Sequence, residues 1–106
     1  MVNITIFTRN SAVCGFSSVG HAGQNAHGKD IVCAAVSALT INCANALETI
    51  ANASPIVKQS DGYLTVEVLE SHYNHDAFIL LTALQQGLTD IVASYPKYIS
   101  IRKVEK

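Results

Sequence analysis

Charge is scarce in this chain, and what there is nearly cancels. Only 14% of the 106 residues are charged, seven basic against eight acidic, for a formal net charge of −1 with the histidines neutral. There is no basic footprint for nucleic acid, so direct nucleic-acid binding is not expected. Hydrophobic residues make up 49%, which excludes disorder and leaves material for a modest core without metals or disulfides. Cysteine is sparse too: Cys14, Cys33 and Cys43 are odd in number and contain no Cys-x-x-Cys pair. That excludes a disulfide framework and the usual structural zinc pair. No apolar run reads as membrane-spanning, and Val2 to Phe7 is strand-like with no cationic leader, so a cytoplasmic protein without membrane contact is expected. No repeat, linker or low-complexity stretch divides the chain, and a single domain over residues 1–106 is expected. Little charge leaves more apolar surface than a small monomer exposes, which points to a dimer.

What is present alternates between two periods. Val2 to Thr8 reads as a strand, Arg9-Asn10-Ser11 as a turn, and Ala12 to Val19 as the returning strand, with Gly15 marking a bulge and Gly20 its end. The spacing predicts a helix over residues 31–51, with Val32, Val36, Leu39, Cys43, Leu47 and Ile50 as its core stripe. Its far side, Ala34, Ala38, Asn45 and Thr49, carries little charge and is a candidate for buried contact across a dimer. Residues 54–60 and 62–69 read as a second hairpin around Asp61-Gly62, with Leu64, Val66 and Val68 inward. Tyr73, Ala77, Leu80, Leu81, Leu84, Leu88, Ile91 and Tyr95 mark a second helix, capped by Ser71 or Asn74 and ended by Tyr95-Pro96. His72, His75 and Asp76, at that helix start, read as capping or solvated residues rather than metal ligands. Tyr98 to Val104 reads as a fifth strand, and Lys103, Glu105 and Lys106 as a polar tail. The order ββαββαβ predicts an α+β fold: two layers, an antiparallel-rich mixed sheet and two long helices.

The stretch from Gly20 to Ser37 carries the chemistry. Gly20, Gly23 and Gly28 punctuate a flexible loop that runs into a capped helix. Asp30 is read as N-cap, which puts Cys33 at the third helical position among the unpaired N–H groups. The positive helix end favours a thiolate, but by only roughly 0.3–1 kcal/mol, under about one pKa unit. An imidazolium is therefore required, and His21 is the leading candidate, with His27 second. Asp30 helps only if its carboxylate turns to a backbone N–H or to the imidazole. Cys33, Ser37, Thr40 and Ala44 lie on the edge beside the core stripe, so Cys33 keeps partial access, with the Ser37 hydroxyl one turn below. Cys43, on the stripe, reads as inert packing. A single cysteine near a single histidine is not by itself a signature of a nucleophile, because most unpaired cysteines are small buried hydrophobes.

The run Gly20-His21-Ala22, the spacer ending in Gly28, and Asp30 to Leu39 (DIVCAAVSAL) resembles the ribosomal-processing cysteine protease family, Prp. The resemblance extends over the chain in length and element order, but only this stretch is specific. It implies a small cytosolic bacterial endopeptidase that acts as a homodimer; separately, no cofactor and no metal are expected. It further implies that a short N-terminal extension is removed from a ribosomal large-subunit protein, with cutting next to aromatic residues. The implied catalytic pair is His21 and Cys33, supported by Asp30 and Ser37. The competing reading is a non-enzymatic ribosome-associated peptide-binding module in which His21 and Cys33 merely pack. A zinc site on His21, His27 and Cys33 is disfavoured by its ligand spacing, and Gly28-Lys29 lacks the Ser/Thr of a phosphate loop.

Overall fold

The computed structural model describes residues 1–20 and 29–106, with only the backbone of Lys29 and Asp30. Strand β1 (Val2–Arg9) and strand β2 (Ala12–Val19) form a hairpin whose turn residues Asn10 (φ 54°) and Ser11 (φ 67°) are both left-handed. The register slips between Phe7 and Thr8: Phe7 faces Gly15 and Thr8 faces Val13, leaving Cys14 as the extra residue of a bulge. Gly15, next to the bulge, lets the chain at Val66 approach closely on the other side of β2, because a Cβ there would stand 2.4 Å from the Val66 carbonyl oxygen.

Helix α1 (Lys29–Thr49) is followed by strands β3 (Ile56–Ser60) and β4 (Tyr63–Glu67), which are joined through Asp61-Gly62. Helix α2 (His75–Ser94) is capped by Asn74, whose side chain accepts the Ala77 N–H at 2.8 Å, and strand β5 (Ile99–Glu105) closes the chain. The sheet order is β3-β4-β2-β1-β5, with only β1 and β5 parallel, so the mixed, antiparallel-rich sheet and the element order are as predicted.

Alternation decides the layers. Val2, Ile4, Ile6, Phe16, Leu64, Val66 and Ile99 are buried beneath the helices. Helix α2 lies across β2 and β5, burying Ala77, Leu81, Leu84 and Leu88, and α1 packs against α2. The α1 stripe is Val32, Val36, Thr40, Cys43 and Leu47, with Leu39 half-buried.

Ile50 departs from the prediction: it is 63% exposed, because α1 ends at Thr49 and the following turn brings Ala51 inward, with its N–H on Ala46 O at 3.0 Å. The predicted polar tail is instead pinned. Glu105 ends β5 and accepts the Thr8 hydroxyl (2.7 Å) and the Asn10 N–H (2.8 Å), while Lys106 pairs with Glu67 at 3.5 Å. Length and composition also correct the sequence reading of the membrane: Ile31–Thr49 and His75–Ser94 are each long and apolar enough to span one. Both helices give their apolar stripes to one core, the ordinary reason for such runs in a packed domain.

Candidate active site

A groove of about 640 Å³ opens between the first half of α1 and the end of the sheet. On the helix side stand Cys33, Val36, Ser37, Thr40 and Ile41, at spacings that share one face. Opposite them are Val2 at the start of β1, Ser18 and Gly20 at the end of β2, and the β3–β4 hairpin end from Gln59 to Leu64. Gly20 fastens this end: its N–H donates to the Gly62 carbonyl at 2.8 Å, and its φ of +100° lets it pass the Met1 carbonyl. Thr40 is buried, and its hydroxyl donates to Val36 O at 2.8 Å, so that hydroxyl is already paired within the helix.

Three cysteines occupy three environments, and none forms a disulfide. Cys33 is half-buried and lines the groove, with Ser37 exposed one turn further on. Cys43 is buried against α2, its Sγ 3.9 Å from Leu80 O, and desolvation pushes its pKa up to about 12. Cys14 is buried in the β2 bulge and its pKa too is raised, chiefly by burial and against the opposing pull of the Arg9 charge. It borders a separate hollow of about 290 Å³ with Arg9 and Tyr73, away from the α1 groove. A thiol held protonated and out of water is a poor nucleophile, so Cys33 is the one thiol of the three suited to attack.

The sequence-predicted residues divide accordingly. Cys33, Ser37 and Gly20 meet at the groove. His21, Gly23, Gly28 and the side chain of Asp30 lie outside the described residues, as does His27. One expectation is corrected: α1 already begins at Lys29, so Asp30 is inside the first turn rather than capping it, and Cys33 is the fifth helical residue. The Cys33 and Ala34 N–H groups therefore fall within the helix ladder, reaching back to the Lys29 and Asp30 carbonyls.

Sequence reasoning had missed Gln59, Tyr63 and Ile41 as groove residues. Only the strong Asp61-Gly62 turn signal hinted that a hairpin end would have to be placed somewhere. Among the described residues no three His, Cys, Asp or Glu side chains cluster to hold a metal. His75 instead stacks on Phe78, with ring centroids 6.1 Å apart, and the His72 ring lies 3.3 Å from the Ser71 hydroxyl.

Comparison with known proteins places this geometry. A family model described as cysteine protease Prp matches residues 1–100. The ribosomal processing cysteine protease Prp of Bacillus subtilis (strain 168) is 32% identical over an alignment of 74 residues, with 67% of this chain and 66% of that protein covered. The crystal structure of SMU.848 from Streptococcus mutans superposes with a TM-score of 0.86 at 29% identity, covering 100% of this chain and 96% of that one. That of an essential ribosomal processing protease Prp from S. aureus, with a covalently linked product peptide, gives 0.87 at 24% identity, covering 98% and 100%.

Proposed function

Since the chain belongs to the cysteine protease Prp family, we propose that it is an endopeptidase that removes a short N-terminal extension from a ribosomal large-subunit protein. The observation that carries this reading is Cys33: of three cysteines it alone is partly accessible, and it opens on a groove of a size that takes a peptide side chain and its neighbours.

His21 removes the Cys33 proton, and the thiolate attacks the scissile carbonyl carbon to give a tetrahedral oxyanion. The imidazolium then gives the proton to the leaving amine as the C–N bond breaks. Water, deprotonated by the same imidazole, hydrolyses the thioester and returns the thiol. Asp30 orients the imidazole and Ser37 hydrogen-bonds near the sulfur or positions substrate. With the Cys33 and Ala34 amides inside the helix ladder, the donors closest in sequence for the oxyanion are the first amides of α1, at Lys29, Asp30 and Ile31.

Cutting next to aromatic residues is supported by the apolar wall of Val36, Ile41 and Leu64, which suits a flat ring better than a charge. Homodimer formation is supported by the outer face of α1, where Ile31, Ala34, Ala38, Ile41, Asn42 and Asn45 are exposed and uncharged. A reducing, cytoplasmic location agrees with three unbridged cysteines.

The test is cleavage of a synthetic peptide spanning the extension, read by mass spectrometry. The wild-type protein cleaves it, Cys33→Ala binds it uncut, and His21→Ala loses activity while His27→Ala keeps it. A Cys33→Ala protein that still cleaves refutes the assignment. Stable binding without cleavage by the wild type would make the domain a peptide-binding module instead.

A further inference from the structure

The sheet has two edges, and they are protected differently. The β5 edge carries Arg102, Lys103 and Glu105, charges of the kind that discourage pairing with another chain. The β3 edge, IVKQS, carries one lysine, no bulge and no internal proline, and all five of its residues are exposed. Its backbone orientation follows from the hairpin. Ser60 and Tyr63 flank the two-residue turn and form a hydrogen-bonded pair, and bonded and non-bonded pairs alternate. Ser60, Lys58 and Ile56 therefore bond inward to β4, while Gln59 and Val57 turn their N–H and C=O groups to the open side. Gln59 belongs to both surfaces, lining the groove that holds Cys33.

We infer that the open edge of β3 takes the substrate peptide as an added strand, through the outward backbone groups of Val57 and Gln59, and so delivers the scissile bond to Cys33. This rests on the peptidase reading above and deepens it. The five residues of β3 offer about 17 Å of pairing surface, enough to fix four or five peptide residues in one register. Backbone pairing supplies affinity independent of sequence, and selection is left to the apolar wall of α1.

The experiment uses the full chain with the synthetic extension peptide. Val57→Pro removes one outward N–H, a change an edge strand tolerates when that N–H does not serve the ladder. It is expected to raise KM roughly three- to tenfold with kcat little changed, and Val57→Ala, which keeps the N–H, to raise it less than Val57→Pro does. In parallel, peptides N-methylated one position at a time are measured for binding to Cys33→Ala, with affinity falling at every second position along part of the peptide. An unchanged KM in folded Val57→Pro overturns the inference, as does a methylation scan without alternation. So does a Val57→Pro protein that dissociates into monomers at unchanged KM, which would make the β3 edge a subunit contact. If Val57→Pro fails to fold, the methylation scan decides alone. If the wild type cleaves nothing yet binding alternates, the peptidase reading falls and the edge assignment stands. Absence of binding overturns both.

Discussion

Replacing Gly20 with alanine tests how the end of β2 is held. At φ +100° an L-residue is strained, at about 1–3 kcal/mol. The new Cβ would also stand 2.5 Å from the Met1 carbonyl oxygen, and ordinary packing needs more than 3.0 Å, so backbone must move by at least 0.5 Å. The obstacle is a main-chain atom of Met1, the residue before β1, not a side chain that can turn away. The lower entropy of unfolded alanine offsets roughly 0.4–1 kcal/mol of this. Relieving the overlap adds about 1–3 kcal/mol, so the net loss centres on about 3 kcal/mol, or roughly 12 °C in Tm for a domain of this size. Differential scanning fluorimetry and far-UV circular dichroism read it. Activity at 25 °C should fall as well, because the Gly20 N–H holds Gly62 at the groove and His21 is the next residue. A Gly20→Ala protein melting within about 2 °C of wild type would show that the strand end relaxes freely, and the reasoning would be wrong.

Alkylation of the native protein at pH 8 should label Cys33 alone, with Cys14 and Cys43 reacting only after denaturation; peptide mass mapping decides, and early labelling of Cys43 would contradict its burial. Because folding raises the Cys43 pKa from 9.0 to about 12, the unfolded chain loses that proton first, so stability is unaffected below about pH 9 and falls as pH climbs between the two values. Chemical denaturation from pH 8 to 11, with Cys43→Ala as comparison, should show the steeper alkaline loss in the wild type. Leu47→Ala, at a fully buried position, should cost about 2–5 kcal/mol, whereas Ile50→Ala, at an exposed one, should stay within about 0.5 kcal/mol; equal losses would restore Ile50 to the core. Glu105 has its pKa lowered by the Thr8 hydroxyl and the Asn10 amide, so its stabilisation is present above its unfolded value and lost as pH falls through the folded one. The Tm gap between wild type and Glu105→Gln should therefore be open at pH 7 and narrow as pH falls below the ordinary carboxylate range.

The elements were legible because local signals agreed with one another. Asn10 next to Ser11 and Asp61-Gly62 each named a turn that formed, Asn74 was one of two candidate caps and is the one used, and alternation put Leu64, Val66 and Val68 on the inner face. What failed depended on how ends are finished. Ile50 fits the helical spacing, yet the turn after Thr49 widens and Ala51 takes the inward place. Glu105 looks like tail, but it meets Thr8 and Asn10 only because β5 pairs parallel to β1, a long-range choice no local pattern carries. The site divides the same way. Cys33 could be found from the edge of the α1 stripe and Ser37 from one turn beyond it. Gln59 and Tyr63 could not, since they reach the groove through the strand order alone.

The groove itself has a simple cause in side-chain size. Where α2 crosses the sheet it presents Leu81, Leu84 and Leu88, and the space fills. Where α1 faces the β3–β4 hairpin it presents Cys33, Ser37 and Thr40, and the sheet answers with Ser18, Gly20 and Gly62. Residues that small cannot close the distance set by helix packing and strand position, so a hollow remains beside an otherwise dense core. The thiol is therefore accessible for the same reason the groove exists: one helix carries large apolar residues on one stripe and small ones on the stripe next to it. A substitution that enlarged Ser37 or Thr40 would act on access and on packing together, and stability and reactivity at this wall are coupled through volume.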